Sequence, residues 1–177
     1  MLIKFEGTCL AINKMASNKI TTTIESGENL NIIGPSGSGK SSYVNALIGL
    51  PSMLKGNIII DDINLKNFHS NQWWMMRKKI IACVFQNLEL FQNLTVADNI
   101  NIVTGLYKSI NESKIDFIIE SLNLNPFKNI KAKNLSLGEL QRLAICRALV
   151  RPFLLLILDE PFSHLDKDNI QKATQLI

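Results

Sequence analysis

Hydrophobic side chains recur along this chain with two spacings, one typical of strands and one typical of helices. Residues 20–25 (ITTTIE) alternate between a face with two isoleucines and a more polar face, which predicts a half-buried strand. Residues 80–85 (IIACVF) and 153–158 (FLLLIL) are continuously apolar, as expected for strands that are covered on both faces. Shorter apolar runs predict further strands at residues 2–5, 30–33 and 56–61.

Helical segments separate these strands. Residues 87–134 are rich in asparagine and lysine and are predicted to be mostly helical, as an insertion on a sheet. Strands that alternate with helices favour an α/β fold with a mostly parallel sheet. The predicted helices cover residues 40–50, 70–79 (with Ser70 as a possible N-cap), 95–104, 112–122 and 138–150.

A glycine-rich loop follows the apolar run at residues 30–33 and matches the pattern G-x-x-x-x-G-K-[ST]. Its glycines let consecutive backbone N–H groups converge on phosphate oxygens, and the next helix adds its positive N-terminal end. Lys40 would place its charge on the β- and γ-phosphates, and Ser41 would bind Mg²⁺. This loop alone suits a kinase, a GTPase or an ATPase. The predicted phosphate-binding residues are Gly34, Pro35, Ser36, Gly37, Ser38, Gly39, Lys40, Ser41 and Ser42.

Two carboxylates follow the apolar run that ends at residue 158. A strand that ends in Asp159 can deliver a carboxylate to the carboxyl edge of a sheet, where it can hold Mg²⁺. Glu160 can polarise a water molecule toward the γ-phosphate, which favours hydrolysis over phosphoryl transfer to an acceptor. A strand followed by an ordinary acidic turn is the structural alternative.

A second helix start precedes residues 138–150. Ser136 is a favourable N-cap residue, so the exposed N–H groups beside it would form another anion-binding end. An ordinary capped helix explains the same residues, and the spacing alone gives no reason for a second phosphate site.

The run 135–142 (LSLGELQR) resembles the signature loop L-S-G-G-[QE]-x-Q-R of ATP-binding cassette (ABC) ATPases. The phosphate loop, the signature and the carboxylate strand occur in that family's order and approximate spacing. Phe85-Gln86 resembles its Q-loop, and residues 163–166 (SHLD) resemble its D-loop. Over nearly its whole length the chain is identified as a member of this family. The sequence of residues 85–100 is most similar to that of cassettes in the lipoprotein-releasing, macrolide-export and polar amino-acid-uptake groups.

The resemblance implies a P-loop nucleoside triphosphatase with an antiparallel N-terminal β part at about residues 1–30. The core would comprise residues 1–86 and 138–177, and a helical subdomain would comprise residues 87–137. ATP and Mg²⁺ would be the ligands. Gln86 would contact Mg²⁺ or the attacking water and would move with the helical insertion.

The resemblance also implies two partners. One is a second ATPase protomer in a head-to-tail dimer, in which the signature would contact ATP held by the opposite protomer and the D-loop would follow the interface. The other is a polytopic membrane permease, received by the surface at residues 86–99, so that the ATPase would be cytoplasmic and peripheral on the inner face of the cell membrane. The implied interface residues are Ser136, Gly138 and Glu139 of the signature and Ser163 and Asp166 of the D-loop.

The sequence departs from the family pattern at three places. Leu137 replaces the first glycine of the signature pair, which is tolerable where its side chain faces away from phosphate. The aromatic residue that stacks on adenine in many members would fall near Ala11 or Ile12, and neither is aromatic. The chain stops at Ile177, before the family's last strand and switch histidine. We therefore expect a longer natural gene and poor hydrolysis from this length of chain.

Composition narrows the function classes further. The chain has 177 residues, of which 46% are hydrophobic, so it is not a disordered chain. The net charge of +4 is scattered, and we expect no nucleic-acid partner. The three cysteines, Cys9, Cys83 and Cys146, are predicted to be reduced and mostly buried. Two alternatives stay open: a soluble ABC ATPase that acts on nucleic acid or ribosomes, and a truncated or degenerate cassette with little turnover.

Overall fold

The computed structural model describes residues 1–12, 15–16, 19–107 and 110–177. The chain divides into two units, Met1–Ile81 and Ala82–Ile177. Each unit has its own buried apolar core. In the described part of the chain, no helix is both long enough and apolar enough to cross a membrane.

An antiparallel sheet dominates the first unit. Its strand order is β2-β1-β4-β5, and β3 pairs with β1 outside that path. The registers place Ile3 opposite Ile60 and Phe5 opposite Ile58, so large apolar residues share one face of the sheet. The antiparallel N-terminal β part predicted from the resemblance is therefore present. Its strands are β1 (Ile3–Ile12), β2 (Met15–Ala16), β3 (Ile20–Ile24), β4 (Leu54–Ile60) and β5 (Ile63–Asn64).

Two α-helices lie in the described part of this unit. Helix α1 (Lys40–Ile48) buries Tyr43, whose ring centroid lies 6.2 Å from that of Phe5. Helix α2 (Ser70–Met75) continues as a π-helical turn over Met76–Ile80. The N-cap of α2 is His69 and not Ser70, because the side chain of Gln72 accepts the His69 backbone N–H at 2.8 Å.

The prediction of a strand at residues 30–33 is wrong. Residues 30–33 are irregular, and the side chains of Leu30 and Ile33 are 41% and 92% exposed. A buried apolar strand requires neighbouring strands on its edges, and the described sheet of this unit is built from β1 to β5.

The second unit packs helices around α5 and pairs two strands, β6 and β7. Helix α5 runs through its core, where Leu143, Ile145 and Cys146 have no exposed surface. All three cysteines are free, and Cys9 and Cys146 are buried, as predicted. The elements are β6 (Ile81–Val84), α3 (Val96–Thr104), α4 (Glu112–Ser121), α5 (Leu137–Leu149), β7 (Leu155–Leu158) and α6 (Lys167–Leu176), with 3₁₀ turns at Asn125–Phe127 and Ala132–Asn134 and a similar turn in the first unit at Leu65–Asn67.

Candidate functional site

The phosphate loop lies in the first unit, and the side chain of its lysine bonds to the backbone of the loop. The Nζ atom of Lys40 donates to the carbonyl oxygens of Gly34 at 3.0 Å and of Pro35 at 3.1 Å. The backbone N–H of Ser38 donates to the Pro35 carbonyl at 3.2 Å, which closes the turn. Lys40 is the first residue of α1 and Ser41 the second, so both lie at the positive end of that helix.

Gly39 is the N-cap of α1 and adopts a left-handed conformation with φ of 88°. A Cβ atom on this residue would overlap the side chain of Leu10, which is buried. Both the backbone angle and the available space therefore require glycine at this point of the loop.

The two predicted carboxylates lie in the second unit, directly after β7. The backbone N–H of Asp159 donates to the Val84 carbonyl at 2.9 Å, which continues the pairing of β6 with β7. The Asp159 side chain is buried beside Cys83. Burial raises the pKa of the Cys83 thiol to about 12, and the negative charge of Asp159 adds to that rise. Cys83 is therefore a neutral thiol at physiological pH.

Glu160 and Gln86 meet although they are 74 residues apart in the sequence. The Nε2 atom of Gln86 donates to the Oε2 atom of Glu160 at 3.3 Å. Glu160 has a left-handed backbone with φ of 49°, which is uncommon for a residue with a Cβ atom and which recurs at functional sites. The structure thus brings together the glutamate predicted from the strand and the glutamine predicted from the resemblance.

The signature residues form the start of α5. Ser136 is its N-cap: the Ser136 N–H donates to Glu139 Oε2 at 2.7 Å, and the Glu139 N–H donates to Ser136 Oγ at 3.4 Å. Leu137 is 59% exposed, so its side chain points into solvent. A Cβ atom on Gly138 would lie 3.0 Å from the carbonyl oxygen of His164, so glycine permits a close approach to the predicted D-loop.

The signature helix and the D-loop are joined by a buried glutamine that the sequence analysis did not single out. Gln141 has no exposed surface, and its Nε2 atom donates to the Pro161 carbonyl at 2.6 Å. Its Oε1 atom lies 3.2 Å from His164 Nδ1 and 3.5 Å from Ser163 Oγ. The D-loop residue Asp166 caps α6: hydrogen bonds from Asn169 lower the pKa of the Asp166 carboxyl group.

Two further residues, neither of them predicted from the sequence, hold residues 87–91, which we call the segment after Gln86. Asn99 on α3 is fully buried and bonds to the backbone of Phe91 in both directions, at 3.0 Å each. Arg147 on α5 donates to the Glu89 carbonyl at 2.8 Å. The sequence does not set either residue apart, because α3 also contains Asp98 and Asn101 and α5 also contains Glu139, Gln141 and Arg142.

The expected adenine-contacting position falls at Ala11 or Ile12. Both belong to β1, and their side chains lie outside the part of the chain that the structure describes.

A family model described as "ABC transporter" matches residues 17–163, well over half of the chain. The chain belongs to the ABC transporter family. It is 39% identical over 163 residues to the lipoprotein-releasing system ATP-binding protein LolD of Buchnera aphidicola subsp. Schizaphis graminum, a match that covers 90% of this chain and 71% of that protein. It is 35% identical to the spermidine/putrescine import ATP-binding protein PotA of Lawsonia intracellularis, over 92% of this chain and 42% of that relative.

The solved structure of the dimeric bacterial ABC transporter cassette MJ0796 matches with a TM-score of 0.83 and 27% identity, over 98% of this chain and 80% of the cassette. The same cassette has also been solved in a post-hydrolysis state bound to ADP and Pi, with the same TM-score of 0.83. These findings confirm the predicted ABC cassette with an α/β P-loop fold. They also confirm the class of function, an ABC-type ATPase that binds ATP and powers transport. The chain spans less than half the length of the PotA relative and about seven tenths of LolD.

Proposed function

We propose that Glu160 is the general base of ATP hydrolysis in this chain and that Gln86 is the residue that orients it. The contact of 3.3 Å between Gln86 Nε2 and Glu160 Oε2 carries this proposal. A carboxylate at a strand exit can accept a proton from water, and a neighbouring amide can both orient the carboxylate and hydrogen-bond to that water. The left-handed backbone of Glu160 turns its side chain out of the strand, which leaves it exposed.

Phosphate binding is proposed for the loop from Gly34 to Ser42. The ammonium group of Lys40 now donates to two loop carbonyls, Gly34 and Pro35. A phosphate oxygen carries negative charge and therefore attracts the ammonium group more strongly than a neutral carbonyl oxygen does. We therefore expect the Lys40 side chain to exchange these carbonyls for the β- and γ-phosphates.

Mg²⁺ is the proposed metal cofactor. The candidate ligands are the Ser41 hydroxyl, the Asp159 carboxylate and the amide oxygen of Gln86, all of them the oxygen donors that Mg²⁺ prefers. The geometry of Gln86 fits this role, because its Nε2 atom is directed to Glu160 and its oxygen is the atom left to accept from water or to bind a metal. When bound, Mg²⁺ neutralises charge on the β- and γ-phosphates.

A second copy of the chain is the proposed partner at the signature. Ser136 is exposed at the N-terminus of a 13-residue helix, and its hydroxyl accepts only a long bond of 3.4 Å from Glu139. That arrangement suits a γ-phosphate presented by another protomer. Gly138 and Glu139 of the signature and the D-loop residues Ser163 and Asp166 would lie at the same head-to-tail interface. The dimeric state of MJ0796 supports this partner.

A polytopic membrane permease is the proposed partner of residues 86–99. Phe91 is 47% exposed there while its backbone is anchored by Asn99, so this segment presents an apolar side chain from a fixed position. The ATPase would then be peripheral on the cytoplasmic face of the membrane. The proposed domain division is a core of residues 1–86 and 138–177 with a helical subdomain at residues 87–137, a range that includes α3 and α4.

Substitution of Glu160 by Gln tests the proposed catalysis. The change keeps the size of the side chain and an acceptor for Gln86, but it removes the base. Steady-state phosphate release should fall by roughly 10²–10⁴-fold, while the affinity for a fluorescent ATP analogue should stay the same. The matched control is Glu120→Gln, an exposed acid on α4, which should hydrolyse ATP like the parent. A Glu160→Gln protein with the parent's turnover would overturn the role of Glu160.

A further inference from the structure

Arg147 connects the signature helix to the segment that follows Gln86. It lies on α5 between the buried residues Cys146 and Ala148, and its side chain reaches out of that core. Its Nη1 atom donates to the Glu89 carbonyl at 2.8 Å. Its Cζ atom lies 5.3 Å from the centroid of the Phe91 ring. One guanidinium group therefore contacts both the backbone and a side chain of the same short segment.

That segment has a backbone conformation that needs external support. Leu88 and Glu89 are both left-handed, with φ of 63° and 44°. Consecutive left-handed residues with Cβ atoms are unfavourable and persist only where the surrounding contacts impose them. Within the segment, Asn87 Nδ2 donates to Glu89 Oε1 at 2.6 Å, and the contact from Arg147 comes from outside it.

Asn99 holds the other side of the segment. It accepts the Phe91 N–H and donates to the Phe91 carbonyl, both at 3.0 Å. Phe91 is thus anchored at its backbone by α3 and at its ring by Arg147 of α5. Burial lowers the pKa of the Arg147 guanidinium, and the nearby charge of Glu89 partly offsets that effect. The side chain stays a cation at physiological pH, because the ordinary arginine pKa is far above 7.

We propose that Arg147 is a positioning residue for hydrolysis. From α5 it holds Glu89 and Phe91 in place, and these residues in turn hold Gln86 beside Glu160. This inference deepens the proposed function and rests on it. Because α5 begins at the signature residue Ser136, the same contact ties the position of Gln86 to the helix proposed to meet the partner's nucleotide. Arginine suits this task, since its planar group can stack on a ring while one of its N–H groups donates in the plane.

Arg147→Lys is the test variant, because it keeps the charge and loses the planar group. We expect kcat to fall about tenfold or more, since small displacements of an orienting group cost this much, with KM for ATP within about twofold of the parent. The matched control is Arg151→Lys. Arg151 stacks on Tyr107 in a similar way, at 5.5 Å, but that contact does not reach the segment after Gln86. The control should keep the parent's kcat.

A double-substitution cycle separates positioning from general destabilisation. In a Gln86→Ala background, Arg147→Lys should lower kcat no further, because it acts through Gln86. The inference is overturned where Arg147→Lys keeps the parent's kcat, where Arg151→Lys loses as much, or where the loss persists in full without Gln86.

Amide hydrogen exchange gives a second readout that needs no turnover. The amides of residues 88–91 should exchange faster in Arg147→Lys than in the parent or in Arg151→Lys. Equal exchange in all three proteins would overturn the role of Arg147 even if the parent released no phosphate. A parent without phosphate release contradicts the proposed hydrolysis instead, so the two failures are distinguishable.

Discussion

Asn99 offers the sharpest test of how this fold holds the segment after Gln86. Its side chain has no exposed surface and makes four hydrogen bonds to the backbone of residues 91–95. The Oδ1 atom accepts from the Phe91 N–H at 3.0 Å, and the Nδ2 atom faces three carbonyl oxygens, at distances of 2.9 to 3.4 Å. Asn99→Asp keeps the shape but places a carboxylate oxygen against those three carbonyls.

The substitutions Asn99→Ala and Asn99→Asp should lower the free energy of unfolding by different amounts. Asn99→Ala leaves the buried N–H of Phe91 without its acceptor, at a cost of about 1–3 kcal/mol, and opens a small cavity that costs about 1 kcal/mol more. We expect a loss of about 2–4 kcal/mol in the free energy of unfolding. Asn99→Asp should lose more at neutral pH, because a buried carboxyl group can have its pKa raised by about 3–5 units, and each unit corresponds to about 1.4 kcal/mol.

Of the two variants, only Asn99→Asp should lose stability in a pH-dependent way, because only it adds a titratable group. Its pKa in the folded state lies above the unfolded value of about 3.9, so the folded state favours the neutral acid. The destabilisation should therefore be least below about pH 4 and should grow as the pH rises toward the folded pKa. Asn99→Ala has no such group and should keep a constant deficit.

Urea unfolding at pH 5 and pH 7.5 measures these differences. The control is Asn101→Ala on the same helix, where the exposed side chain should contribute within about 0.5 kcal/mol. Equal stability of Asn99→Ala and Asn101→Ala would refute the reasoning, as would an Asn99→Asp deficit that does not increase with pH.

Three further predictions concern single positions. Lys40→Ala should weaken binding of a fluorescent ATP analogue by at least about tenfold, because charge-assisted bonds contribute about 1.5–3 kcal/mol each. The control Lys55→Ala should keep the parent's affinity, and unchanged affinity in Lys40→Ala would contradict the role of Lys40. Ser136→Glu should bind ATP as a monomer but form no ATP-dependent dimer by light scattering, since a carboxylate would face the partner's γ-phosphate; a dimer would exclude the head-to-tail arrangement. Thr95 lowers the pKa of the Asp98 carboxyl group through its side chain and backbone. Thr95→Val should raise that pKa in an NMR titration, and it should reduce the stability lost as the pH falls.

The residues that could be predicted from sequence are those whose chemistry depends on local spacing. The phosphate loop needs glycines and a lysine at fixed separations, and Gly39 occupies a left-handed position that only such a local pattern reveals. The order of strand and carboxylate likewise predicted Asp159 and Glu160 at the end of a strand, and both residues follow β7 directly. Helix α5 was predicted at residues 138–150 and found at Leu137–Leu149, since its apolar spacing and its serine cap agree.

The errors and omissions come from tertiary context. The apolar run at residues 30–33 has strand composition, but strand formation depends on a neighbouring strand, which composition does not specify. The short strands β2 and β5 were not predicted, because two-residue strands are too short to show a period. Helix α6 was not predicted either, since its only apolar residues are Ile170, Ala173 and Leu176. Asn99 could not be distinguished from the chain's many other asparagines, since only the folded structure shows that it is buried.

Helix α5 gives these separate observations a common physical basis. Ser136 caps its start, Gln141 in its first half contacts Ser163 and His164 of the D-loop, and Arg147 in its last turn bonds to the segment after Gln86. A 13-residue helix is roughly 20 Å long and moves as one body, because its backbone bonds are internal. A shift at the signature would therefore reach the loops that Gln141 and Arg147 contact, and one of those loops begins at Gln86. Such a helix could couple recognition of a partner's nucleotide to the geometry around Glu160, and the double-substitution cycle of Arg147 and Gln86 measures the step between α5 and Gln86.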